Sequence, residues 1–73
     1  MPNRRLRLRE VERRLSAAGF RFVRQRGSHR IWERVDAGGK RVVPVPEEPV
    51  IAIGTLTSIV RMMGMTWDEF EAL

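Results

Sequence analysis

The chain has 73 residues, a formal net charge of +5 and no cysteine, which bounds it to one small domain without disulfide staples or a thiolate metal site. With His29 as its single histidine, a zinc site would have to be built almost wholly from carboxylates, and neither a metal nor a cofactor is expected. No stretch approaches the roughly 20 apolar residues of a membrane span, and the basic N-terminus lacks the apolar core of a secretory signal, so a cytoplasmic protein without membrane contact is expected.

In residues 5–18 the apolar positions Leu8, Val11, Leu15 and Ala18 fall at helical spacing and predict an amphipathic helix. Arg5, Arg9 and Arg13 share its flank, and Gly19 is placed to end it in a left-handed cap. Residues 20–26 (FRFVRQR) read as a strand with Phe20 and Phe22 on one face, and Gly27 punctuates it. Residues 28–35 (SHRIWERV) form a second strand, rich in β-branched and aromatic side chains. The turn Asp36-Ala37-Gly38-Gly39 predicts a hairpin into a third strand, residues 40–45 (KRVVPV). Pro44 has no ladder donor and puts that strand at an edge, or ends it. The buried face stays open: Ile31 and Val35 argue for one parity, Trp32 for the other.

Residues 46–54 (PEEPVIAIG) read as a connector. A second helix is predicted from Thr55, with threonine as N-cap, Leu56, Ile59, Val60 and Met63 as its apolar stripe, and Gly64 closing it. In the tail, Thr66 and Glu69 make a capping box, and Met65 with Phe70 fits a hydrophobic staple, so a short third helix follows. The fold class is α+β: a three-stranded antiparallel sheet with helices on one face, in the order α-β-β-β-α with a short C-terminal helix, all in one domain over residues 1–73.

The charge is lopsided. Residues 1–30 carry ten arginines against Glu10 and Glu12, whereas residues 31–73 are net acidic. Thirteen of the fourteen cations are arginine, whose planar fork suits phosphate. This concentration favours a polyanion, above all nucleic acid, over a merely solubilising surface. His29 lies within it, in RQRGSHRIW. Histidine is the side chain that exchanges a proton near neutrality, Gly27 permits a sharp turn or close approach, and Ser28 offers a hydroxyl and an amide. Arg24, Arg26 and Arg30 are candidates to hold a phosphate. Such a set suits RNA cleavage without a metal: His29 as general base or acid at the 2′-hydroxyl, arginines stabilising the phosphoryl charge. An ordinary surface histidine is the plainer alternative. Trp32 is a base-stacking candidate or a core residue, and the carboxylates read as helix-start and connector residues.

The helix ending in Gly19-Phe20, the strand FVRQR, the Gly27-Ser28-His29 triplet, and G-T-L-x-S-I at residues 54–59 followed by Met63-Gly64 together resemble the HicA (YcfA-like) toxins. The resemblance spans residues 8–70. It implies a double-stranded-RNA-binding-like fold, an mRNA-cleaving endoribonuclease of a type II toxin–antitoxin pair, and a HicB-like antitoxin as partner. It also implies that His29 is catalytic and that Gly27 and Ser28 shape its site. Many relatives have a second histidine just after the proline that ends the third strand; this chain reads Pro46-Glu47-Glu48-Pro49 there. The alternative is a non-catalytic RNA-binding module of the same fold, and a DNA-binding protein ranks below both.

Overall fold

The computed structural model describes residues 5–73. It begins with a two-residue strand, β1 (Leu6–Arg7), and passes directly into helix α1 (Leu8–Ala17). The helix starts three residues later than periodicity predicts, because Leu6 and Arg7 pair with Ile51 and Val50 in an antiparallel ladder. α1 buries the expected stripe: Val11 and Leu15 are fully buried, with Leu8 and Ala18 packed at the margin. Arg5 consequently lies outside the helix that carries Arg9 and Arg13. The helix closes in a Schellman motif, with Gly19 N–H donating to Ser16 O at 3.0 Å and Phe20 N–H to Leu15 O at 2.9 Å.

Strands β2 (Arg21–Arg26), β3 (His29–Asp36) and β4 (Gly39–Pro46) form an antiparallel sheet in that order. Two-residue turns join them, at residues 27–28 and 37–38. The second is braced by Gly38 N–H donating to Asp36 Oδ1 at 2.9 Å. The parity question is resolved in favour of Trp32. It lies between its register partners Phe22 and Val43 on the face that meets the helices. Ile31 points to the other face and is nevertheless buried, flanked by Arg24 and Pro44, while Val35 on that face is 76% exposed. Both parities therefore carried a genuine burial signal. The register slips between Phe22 and Arg24, leaving Val23 as a bulge.

β4 is an edge strand, as Pro44 predicts, and it runs on to Pro46. Its two prolines share one parity, so their missing donors face away from β3 and the ladder bonds fall to the alternate residues. The next ladder step is visible beyond the strand, where Glu47 N–H donates to Ser28 O at 2.7 Å.

The predicted connector contains strand β5 (Val50–Ile51), the partner of β1. Helix α2 (Ile53–Met62) then begins two residues before Thr55, with Ala52 as N-cap and no side-chain cap. Pairing through Ile51 fixes the chain at that point, and the first helical bond runs from Leu56 N–H to Ala52 O at 2.9 Å. The hydroxyls nearby turn inward instead of capping: Thr57 donates to Ile53 O at 2.9 Å and Ser58 to Gly54 O at 3.4 Å. α2 ends in a second Schellman motif, Gly64 N–H to Arg61 O at 2.9 Å and Met65 N–H to Val60 O at 3.2 Å. Helix α3 (Trp67–Glu71) carries the predicted capping box, with Glu69 N–H to Thr66 Oγ1 at 3.1 Å and Thr66 N–H to Glu69 Oε1 at 2.8 Å. Phe70 is buried in the core and Met65 packs against it.

The result is α+β, with all three helices contributing to one core over one sheet face. The Cα envelope, 33 × 28 × 17 Å, is that of a two-layer slab. Each fully buried aliphatic or aromatic side chain contributes about 1.5–3 kcal/mol.

Candidate functional site

The turn linking β2 to β3 is Gly27-Ser28, with Arg26 and His29 directly opposite each other. Gly27 has φ +59° and Ser28 has negative φ. This is the pattern of a two-residue hairpin turn whose first position favours glycine, and it gives the G-S-H triplet a structural reason. Gly27, Ser28 and His29 are all exposed.

Strand alternation sorts the candidate residues. His29 heads β3 with Arg26 opposite it, and Arg24, opposite Ile31, lies on the same helix-free face. Directly opposed Cβ atoms are about 5 Å apart, so Arg26 and His29 stand side by side on that face. Arg24 is more than half exposed and makes only a 3.7 Å ion pair with Glu33, which also meets Lys40 at 3.7 Å. Among the described residues Arg26 has no ion-pair or side-chain hydrogen-bond partner.

Arg30 stands apart from this group. Next to His29 in sequence, it projects to the opposite face, where its Nε donates to Glu12 Oε2 and its guanidinium covers the Phe22 ring 4.2 Å from the centroid. Trp32 Nε1 donates to the same Glu12 oxygen at 3.0 Å. Trp32 is thus a core residue with a satisfied polar end, and base stacking by it would require the core to open. Ser28, Gly27, Arg24, Arg26 and His29 come together; Arg30 does not join them.

Behind the turn lie two residues not singled out by sequence reasoning. Gln25 Nε2 donates to Gly27 O at 3.0 Å and to Glu47 Oε1 at 2.9 Å. Glu47, besides donating its amide to Ser28 O, lies 3.9 Å from Arg30 Nη1. The only local signal was Gln25 standing two residues before the glycine, since its partner is 22 residues away.

This end of the molecule carries both signs, since exposed Glu47 and Glu48 leave β4 beside the turn. α1 and α2 both begin here, since Leu8 N–H donates to Pro49 O at 3.0 Å and α2 follows β5. Helix N-termini carry partial positive charge, and exposed Arg5, Arg7 and Arg9 flank them. Grooves lie elsewhere. One of about 420 Å³, lined by Gly19, Arg21, Val23, Glu33, Arg34 and Val35, is at the far end of the hairpin. A ligand at His29 rests on an open surface. Among the described residues no cluster of three His, Asp or Glu side chains converges as a metal site would need. No helix among them is long and apolar enough to cross a membrane.

The fold and this surface define a small α+β domain that displays one histidine beside Arg26 and Arg24 on an open sheet face. The family model described as HicA toxin of bacterial toxin-antitoxin matches residues 8–65, and the chain belongs to that family. It is therefore a toxin of a toxin–antitoxin system, with an antitoxin as its partner. No individual curated protein matches the chain.

Proposed function

We propose that this toxin is a metal-independent endoribonuclease of a HicA/HicB-type pair, acting on mRNA in the cytoplasm through the single domain of residues 1–73. The observation that carries the reading is the shared face of His29, Arg26 and Arg24 beside the exposed Gly27-Ser28 turn. Arg24, Arg26 and the turn amides hold the scissile phosphate. His29 takes the proton from the 2′-hydroxyl, O2′ bonds to phosphorus, and the P–O5′ bond breaks. The products are a 2′,3′-cyclic phosphate and a 5′-hydroxyl, the latter protonated by water or by the imidazolium. The guanidinium groups stabilise the charge that builds on the phosphoryl oxygens. Arg30, tied to Glu12 on the other face, acts by supporting the turn. A HicB-like antitoxin of complementary acidic character covers the basic face.

One observation favours a second reading, a binding module without chemistry. The carboxylate that shares His29's face, Glu33, is four residues along the strand, about 13 Å away, and is ion-paired to Arg24 and Lys40. It cannot supply the second proton. The test is His29→Ala with the fold verified by circular dichroism and RNA binding and cleavage measured separately. The enzyme reading expects retained binding and a loss of cleavage of about 100-fold or more. Wild-type cleavage by the variant would refute it, and RNA binding by both proteins without cleavage by either would favour the binding module.

A further inference from the structure

A two-residue turn at the tip of a hairpin is ordinarily among the first segments to open. Here both of its carbonyls are held. Gly27 O accepts from Gln25 Nε2 at 3.0 Å, and Ser28 O accepts from Glu47 N–H at 2.7 Å. Gln25 is in turn held by Glu47 Oε1 at 2.9 Å, and Glu47 Oε2 faces Arg30, itself bound to Glu12. Three separate chain segments, the end of β2, the exit of β4 and α1, therefore brace one exposed turn.

The bracing has a direction. Every described peptide bond is trans, and in a trans peptide the carbonyl and the following N–H point oppositely. The Gly27 carbonyl is turned toward Gln25, whose register partner is Arg30 on the helix side. The Ser28 N–H consequently points to the open face, where His29 and Arg26 project. Neither Gly27 N–H nor Ser28 N–H has an acceptor among the described residues. A free, fixed amide donor beside a proton-transfer group is the arrangement that stabilises charge developing on a reacting oxygen.

We propose that Gln25 and Glu47 are positioning residues that aim the Ser28 amide at a non-bridging oxygen of the scissile phosphate. The inference rests on the ribonuclease reading above. Neither side chain touches the substrate, since both lie behind the turn. Their action is through the peptide plane between Gly27 and Ser28. Glu47 acts here as a hydrogen-bond acceptor, so a neutral acceptor of the same length should replace it.

The test uses the full chain, with cleavage kinetics on a single-stranded RNA and, separately, binding of its 2′-O-methylated, uncleavable counterpart. Gln25→Ala and Glu47→Ala should lower kcat on the order of ten- to a hundredfold, the cost of misplacing one group. KM and affinity for the methylated RNA should stay near wild type. Glu47→Gln should restore most of kcat, which a requirement for the charge itself would not allow. Wild-type kcat in both alanine variants, a loss confined to KM, or failure of Glu47→Gln to rescue would each overturn the proposal. The Ser28 amide resonance supplies a readout independent of turnover. It should shift when wild-type protein binds the methylated RNA and shift much less in Gln25→Ala. An equal shift in both overturns the clamp even if the wild type cleaves RNA. A wild type that shows the shift but cleaves nothing refutes the nuclease reading and leaves the clamp supported as a binding device.

Discussion

Glu12 is the residue on which most of the helix-facing polar chemistry converges. One of its oxygens accepts from Arg30 Nε and from Trp32 Nε1, and all three side chains are partly or fully buried. Removing it orphans the buried Trp32 indole donor, which costs about 1–3 kcal/mol, and leaves the partly exposed Arg30 guanidinium only Glu47 and the Phe22 ring. Glu12→Ala should therefore destabilise the protein by roughly 2 kcal/mol or more, seen as a lower urea midpoint at unchanged slope. Glu12→Gln keeps an acceptor and should lose less. Arg30 illustrates what a linear reading conceals. It is adjacent to His29, yet strand alternation places the two on opposite faces, and its partner lies 18 residues upstream. His29, Gly27 and Ser28 were legible because a hairpin turn is encoded by neighbours. Gln25, Glu47 and Glu12 were not, because each is defined by a partner in another element.

At the scale of the element, arginines reach the carbonyl ends of all three helices. Arg34 donates to Ala18 O at 3.0 Å after α1, and Arg41 to Met62 O at 3.4 Å at the end of α2. Arg14 donates to Phe70 O at 3.0 Å and Arg13 to Leu73 O at 3.1 Å, in and after α3. Helix C-termini expose unpaired carbonyls and partial negative charge, which cations satisfy. Glu10 organises the last pair, receiving Arg13 Nη2 at 2.7 Å and Arg14 Nε at 2.8 Å. Hydrogen bonds from Arg13 and then Arg14 lower its pKa from 4.5 to about 2. A carboxylate depressed on folding adds stability above its unfolded value and loses it as the pH falls through the folded one. Melting temperatures of wild type and Glu10→Gln should thus differ above pH 4.5 and converge as the pH approaches about 2. The C-terminal ends of α1 and α2 and the start of α3 were the most legible, since Gly19, Gly64 and the Thr66–Glu69 box act over three to five residues, whereas the starts of α1 and α2 were set by the β1–β5 pairing. β1 and β5 had no signal of their own. A two-residue strand shows no periodicity, and their pairing spans the chain.

Across the whole molecule, most of the described arginines fall into two populations. Arg13, Arg14, Arg30, Arg34 and Arg41 are spent on internal carbonyls, carboxylates and rings. Arg5, Arg7 and Arg9 stay exposed around the start of α1, Arg26 stands opposite His29, and Arg21 sits further along β2. Net charge alone therefore overstates the phosphate-binding capacity. Arg26→Ala should reduce the slope of log affinity against log salt for RNA by about one. Arg34→Ala should leave that slope unchanged while lowering the melting temperature. Equal slopes in wild type and Arg26→Ala would remove Arg26 from the phosphate-binding set.

The two-residue turns at 27–28 and 37–38 bear on how the toxin is born. Residues 21–46 contain every partner the three main strands require, and hairpins zip within about 1–10 μs. A ribosome adds only about 5–20 residues per second, so pairing, once these residues are clear of the ribosome, is far faster than the addition of one further residue. α1 precedes the sheet and supplies Val11 and Leu15 to its apolar side, but that side is fully covered only with α2, and the turn beside His29 gains its last tie with the Glu47 amide. A chain halted before that point carries the histidine but not the frame that orients it.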